Sequence, residues 1–221
     1  MRIMKKTVLG LLILVSFYAN AQEYKLEEKT VTGVFDVAGK SKSEIFSAIS
    51  KWISINYNSG KSVTQLSDAE GGNIIVKGIN ETTVSNNARI LYPNTKSIPD
   101  TSIMKFNHLI EINIKDNKYR IIYRIIDIYY EPSEAAYLTA EMIKMNNDCI
   151  NLIGVPDSTI LLVSDFTDAN LKKGLVGKEK REKYIQALKP MYDKLNSDIV
   201  NDMKTTMLLI NKSITATSEG W

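Results

Sequence analysis

An α+β fold, an antiparallel sheet with helices gathered on one face, is what this 221-residue sequence predicts. Three observations carry the expectation. Residues 104–130 (MKFNHLIEINIKDNKYRIIYRIIDIYY) alternate apolar and polar positions on both sides of a tight turn at Asp116-Asn117. Two separate stretches carry apolar residues at spacings of three and four, the mark of amphipathic helices. The order is strand, helix, four strands, an elaboration and a last helix, so two greasy helix faces await one greasy sheet face.

The chain begins as an export signal. Arg2, Lys5 and Lys6 form a basic head, residues 8–17 are apolar, and Ala19-Asn20-Ala21 is an A-x-A cleavage site, which marks residues 1–21 as a cleavable signal peptide. The apolar run is shorter than the roughly 20 residues a membrane span needs, so no span is expected after cleavage. The expected destination is the periplasm or the exterior. Of 28 basic and 25 acidic residues, the leader holds three basic and no acidic ones, leaving 25 against 25. A neutral chain lacks the basic footprint that nucleic-acid binding requires. Cys149 is the single cysteine, so no internal disulfide forms, and a small buried hydrophobe is its expected role.

Residues 22–30 read as a polar, flexible lead-in. Residues 31–37 (VTGVFDV) read as a strand, and Ser41-Lys42-Ser43-Glu44 is a capping box that opens a helix with Ile45, Ile49, Trp52 and Ile53 on its stripe. Residues 62–67 and 73–79 read as strands around a Gly71-Gly72 turn. Residues 81–100 continue the sheet and then loop past Pro93 and Pro99. In the central hairpin a two-residue turn sets Lys115 opposite Lys118, Ile114 opposite Tyr119, Ile112 opposite Ile121, Ile110 opposite Tyr123 and His108 opposite Ile125. Tyr119, Tyr123 and Tyr129 share the apolar face.

After Tyr130 a helix is expected over about 134–146, then a short strand or connector at 159–163 and a loop at 165–177. Together they make an elaboration over 132–177. Residues 178–211 carry a long stripe of Tyr184, Leu188, Met191, Leu195, Ile199, Met203, Met207 and Ile210, which Pro190 should kink or split. A single domain over 31–211 and a tail over 212–221 complete the organisation, with a monomer expected.

The strand ending near Val37, the capped helix KSEIFSAISKWI, the Gly-Gly hairpin with NIIVKG, and KDNKYR at 115–120 together resemble a family of exported bacterial domains of unknown function. That family has a fold like the TATA-box-binding protein, strand–helix–four strands–helix. The resemblance covers residues 31–130 well and the last helix loosely. It implies a TBP-like (β-α-β4-α) fold and an exported setting, and it implies no activity. DNA binding does not travel with the fold name, because function belongs to sites. Asn117 stands where the family's turn would hold Gly, and Asn tolerates the positive φ required there.

Chemical motifs are few. GVFDVAGKS at 33–41 has five residues between its glycines where a P-loop has four, so it reads as a strand, turn and helix cap. Asp165, Thr167, Asp168 and Asn170 start like a calcium loop, but Ala169, Asn170 and Val176 break the EF-hand pattern. Lys172, Lys173, Lys178, Lys180, Arg181 and Lys183 form a local basic cluster interleaved with Glu179 and Glu182. His108 is the only histidine. The register sets Asp127 diagonal to it, an arrangement that would orient a general base in a hydrolase. No catalytic residue, cofactor or metal ligand is assigned.

The sequence favours instead a non-enzymatic binding module of the cell envelope, its partner an envelope protein or a small ligand. Its candidate interaction face is the other side of the hairpin: Leu109, Glu111, Arg120, Ile122, Arg124, Ile126 and Ile128. Apolar residues interleaved with arginines are the composition of a partner surface. Two outcomes stay open: a partner covers that face, or the elaboration folds back over it.

Overall fold

In a computed structural model, residues 23–57, 59–136 and 138–216 are described. The expected signal peptide over residues 1–21, residues 22 and 58, Tyr137 and residues 217–221 lie outside them. Six antiparallel strands form one sheet in the order β1-β2-β6-β5-β4-β3, with helices on one face. The strands are β1 (Tyr24–Glu27), β2 (Thr30–Asp36), β3 (Thr64–Asp68), β4 (Asn73–Ser85), β5 (Thr101–Lys115) and β6 (Lys118–Tyr129). Helix α1 (Lys42–Asn56) follows β2, and short turns α2 (Gly60–Val63) and α3 (Ala88–Leu91) flank the β3–β4 hairpin. Helices α4 (Pro132–Ala135), α5 (Ala140–Asp148), α6 (Asp157–Lys173) and α7 (Lys178–Ala216) complete the chain.

The central hairpin has the register its turn dictates, each of the five pairings above included. Asn117 takes φ of 62°, and its side chain accepts a hydrogen bond from the Gly39 amide at 2.8 Å. The turn is thereby tied to the entrance of α1. That entrance is fixed twice more. Ser41 and Glu44 form the expected capping box, and the Lys42 amide donates to Asp116 Oδ1 at 2.7 Å. Ile45, Ala48, Ile49 and Ile53 of α1 are buried beside Leu188, Leu195, Ile199, Met203, Met207 and Ile210 of α7. Both helices cover the apolar wall of β5 and β6. At about 25 cal/mol per Å² of apolar surface removed from water, this shared core is the main stabilising term.

Four features differ from the sequence expectation. Residues 24–27 of the supposed lead-in form edge strand β1, paired with β2 from Tyr24–Gly33 to Glu27–Thr30. Residues 157–173 form helix α6 rather than strand and loop, with Ile160, Val163 and Leu171 turned inward and Asp168 bonded to Lys172 and Arg181. The expected 134–146 helix divides into α4 and α5, the latter capped by Thr139. Helix α7 runs unbroken through Pro190 and on to Ala216, into the expected tail. Pro190 and Gln186, whose carbonyl loses its helical partner to the proline, are both exposed at the surface.

The elaboration packs at the end of the sheet on the helix side. Buried Asn196 of α7 holds it, donating to the Cys149 carbonyl at 3.1 Å and accepting from the Asn151 amide at 3.2 Å. The Ile128 amide donates to Asn147 Oδ1 at 2.8 Å, and the Leu152 amide donates to the Glu28 carbonyl at 2.7 Å. Cys149 is fully buried, and burial pushes its thiol up to about 11, consistent with an inert structural cysteine.

Candidate functional site

Among the described residues no element covers the sheet face opposite the helices. Alternation along β5 and β6 sends Leu109, Glu111, Arg120, Ile122 and Arg124 to that side, where the arginines are exposed and the others half-buried among neighbouring side chains. Asn113 organises the polar part. Its carbonyl oxygen accepts from Arg120 Nε and Nη2 at 3.0 and 2.7 Å, and its amide donates to Glu111 Oε1 at 3.1 Å. Glu111 is thus held by Asn113 rather than by a guanidinium. Ile75, Leu66, Ile79 and Val34 extend the apolar component across β4, β3 and β2.

One member of the expected face is elsewhere. The β5–β6 ladder shifts between Asn107 and His108, so that His108 pairs with Ile125 while Asn107 pairs with Asp127. Ile126 is the extra residue of a β-bulge, 38% exposed on the open side. Past the bulge the parity of β6 inverts. Ile128 therefore drops into the core opposite Phe106 and is 6% exposed. It leaves the interaction face.

The same bulge separates the expected His–Asp pair. Asp127 accepts from Asn107 Nδ2 at 2.7 Å on the open face, and His108 points the other way, 2% exposed, into the core. There His108 Nε2 meets Tyr57 Oη at 3.0 Å, with the Tyr123 ring 5.1 Å away. Its Nδ1 is buried without a partner. Burial holds the imidazole down to about 4 and raises the Tyr57 phenol to about 12. Both are neutral near pH 7. His108 borders a small cavity of about 350 Å³ whose lining includes Trp52, Asn56, Asn80 and Thr206, and among the described residues no carboxylate reaches either ring nitrogen.

A second recess, about 500 Å³, lies between the sheet end and the elaboration, lined by Met104, Ile128, Tyr130, Leu138, Met191 and Tyr192 among others. Its walls are mainly apolar. The basic cluster at the α6–α7 turn is largely spent on ion pairs: Lys172 and Arg181 with Asp168, Lys178 with Glu182, and Lys183 with Glu179. Lys180 donates to the Leu91 carbonyl. Gly33 lies within β2, and Gly39-Lys40-Ser41 is the turn and cap into α1, with Gly39 at φ of 77°. Among the described residues no helix is long and apolar enough to cross a membrane, and no group of three or more His, Cys, Asp and Glu residues could hold a metal ion.

The architecture is that of an α+β domain with a six-stranded antiparallel sheet and helices on one face. Residues 32–131 match the model of a family described as a domain of unknown function (DUF4468) with TBP-like fold, so the likeness read from the residues holds for β2 to the end of β6. Among solved structures the chain is similar to a TBP-like protein from Parabacteroides distasonis, with 23% identity and a TM-score of 0.35. That alignment covers 47% of this chain and 58% of the Parabacteroides chain. It is also similar to a DUF4468 family protein from Bacteroides ovatus, with 13% identity, 69% and 91% coverage and a TM-score of 0.36. No curated protein matches the sequence.

Proposed function

We propose that this chain is an exported, non-catalytic binding module of the cell envelope that uses its uncovered sheet face to hold an envelope protein. One observation carries the reading: the elaboration lies on the helix side, leaving Leu109, Ile122 and Ile126 beside Arg120 and Arg124 open to a partner. Apolar area interleaved with arginine is what a protein interface uses, since the guanidinium stacks, forks and desolvates at lower cost than an ammonium. The basic, apolar and A-x-A parts of the leader support export. The non-catalytic reading rests on the lone histidine being neutral, engaged with Tyr57 and distant in orientation from Asp127.

A double charge reversal, Arg120→Glu with Arg124→Glu, tests it. Crosslinking in intact cells should retain the wild-type partner and lose it in the variant, while the chain stays cooperatively folded, because both side chains are exposed and the variant loses only the surface Arg120–Asn113 hydrogen bonds. An unaltered set of crosslinked partners would remove the open face from the account. Cell fractionation with sequencing of the mature N-terminus tests export, which requires Gln22 at that terminus.

A further inference from the structure

The sheet has an unfinished edge. β3 pairs with β4 only over residues 73–76, whereas β4 continues to Ser85, paired with β5 along its whole length. The bulge between Thr64 and Leu66 and the turn α2 take the chain away from the edge beyond that point. Residues 78–85 of β4 therefore have a strand neighbour on one side only. The Ile114 amide donates to the Gly72 carbonyl at 2.7 Å, so even-numbered residues of β4 exchange hydrogen bonds with β5. Lys77, Ile79, Glu81, Thr83 and Ser85 direct N–H and C=O outward. The Glu81 amide fits this parity, since it is bound by the neighbouring Asn80 side chain at 3.0 Å. The pairing of Thr64 with Val76 spends the Lys77 amide on the end of α2, and Ile79, Thr83 and Ser85 face no strand among the described residues. Natural edges are blunted by proline, bulges or inward charges. This eight-residue stretch, GINETTVS, has none of these.

Beneath the edge, between sheet and helices, run two adjacent hollows. The first is the cavity bordered by the rings of Trp52 and Tyr57 and by Leu209, with the polar groups of Asn56, Asn80, His108 and Thr206 among them. The second, about 490 Å³, lies along the backbone of residues 81–85 against α7, which lines it with Lys194, Asp198 and Asp202. Lys194 is paired with Asp198 at 2.5 Å, and Asp202 has no cationic partner among the described residues, so the α7 side of the second hollow is net negative.

We propose that the free edge of β4 captures an extended segment of a partner polypeptide as a seventh strand. On its helix-facing side that segment carries a tyrosine or tryptophan, an aromatic body with a polar tip, for the first hollow and a lysine or arginine for the second. Alternation puts same-side residues an even number apart, and the hollows lie within a few residues of each other along β4, so the two anchors fall two or four positions apart. Backbone bonds supply affinity and the hollows supply selectivity. Charge rules out a second copy of this chain: its own edge would present Gly78, Asn80, Thr82 and Val84 on that side, none of them cationic. This edge is a different surface from the open face.

A random nonapeptide library displayed on phage, selected against the full mature chain, tests the proposal. Enriched peptides should share a Tyr or Trp and a Lys or Arg at even spacing. A synthetic copy of an enriched peptide should slow hydrogen exchange at Ile79, Thr83 and Ser85. Thr83→Pro removes an outward N–H and leaves the bonds to β5 intact, so peptide affinity should fall about tenfold, the equivalent of roughly 1.4 kcal/mol, with unfolding temperature unchanged. Asp202→Lys, on the helix surface, should reverse the selected charge to acidic. Arg120→Glu with Arg124→Glu should leave peptide binding as it was. No enrichment, equal binding by Thr83→Pro, or a retained basic preference in Asp202→Lys would overturn the proposal. So would a wild-type dimer that Thr83→Pro converts to monomer, which assigns the edge to a second copy.

Discussion

His108 shows how one buried side chain sets a pH limit on the whole fold. Its ring is held at about 4 in the folded chain, against about 6.5 when exposed. The unfolded chain therefore binds the extra proton between those values. Stability contributed by the neutral ring is complete above pH 6.5 and is lost as pH falls towards 4, by up to about 3 kcal/mol. Urea unfolding at pH 7.5 and pH 4.5 should show that loss, and His108→Gln should flatten the difference between the two. An equal pH effect in the variant would place the titration elsewhere. Ile126 and Ile128 give a second residue-scale test, because the bulge sends them to opposite sides. Ile128→Ala should cost about 2–4 kcal/mol in denaturant unfolding, and Ile126→Ala about 1 kcal/mol or less. Similar costs for the two would mean that the ladder shift is absent. Nothing in the run Ile125-Ile126-Asp127-Ile128 marks the bulge, since apolar residues occupy both parities. That is why the expected face included Ile128 and the expected His–Asp pair looked geometrically sound.

At the scale of elements, the sequence was most informative where side-chain period and turn chemistry agreed. Alternation with Asp116-Asn117 determined the β5–β6 register, and Ser41 with Glu44 determined the start of α1. It was least informative where local composition opposed the tertiary outcome. Asp165, Asp168 and Asn170 look like loop residues, yet α6 buries Val163 and pairs Asp168 with Arg181 at 2.8 Å, so packing overrides propensity. β1 is four residues, Tyr24-Lys25-Leu26-Glu27, too short to show a period on their own and made a strand by the partner β2. The elaboration depends on a polar anchor that no periodicity reveals. Asn196→Ala would leave the buried Cys149 carbonyl and the Asn151 amide without their partner, at a cost of about 2–3 kcal/mol. Hydrogen exchange should rise over residues 140–155 while the central hairpin stays protected. Uniform exchange across the chain would show that the elaboration and sheet do not open separately.

For the molecule as a whole, the arrangement of layers decides what is available for recognition. Helices α1 and α7 and the elaboration occupy one face, so the other presents a broad mixture of isoleucine, leucine and arginine to its surroundings. This division follows from the sequence pattern in outline, because two amphipathic stripes and one half-apolar hairpin can be satisfied in one way only. The side chosen by the elaboration did not follow from it, since α5 and α6 have weakly patterned sequences and their docking rests on Asn146, Asn147 and Asn196. An exposed sheet of this composition is a partner surface or an aggregation hazard. The most direct test is a photocrosslinking amino acid placed at Ile122 in living cells, compared with one at Leu161, which is exposed on α6. The account predicts a discrete adduct from position 122, none of that size from position 161, and loss of the adduct when Arg120 and Arg124 become glutamate. A position-122 probe that yields no adduct, or the same adduct in the double variant, would contradict it.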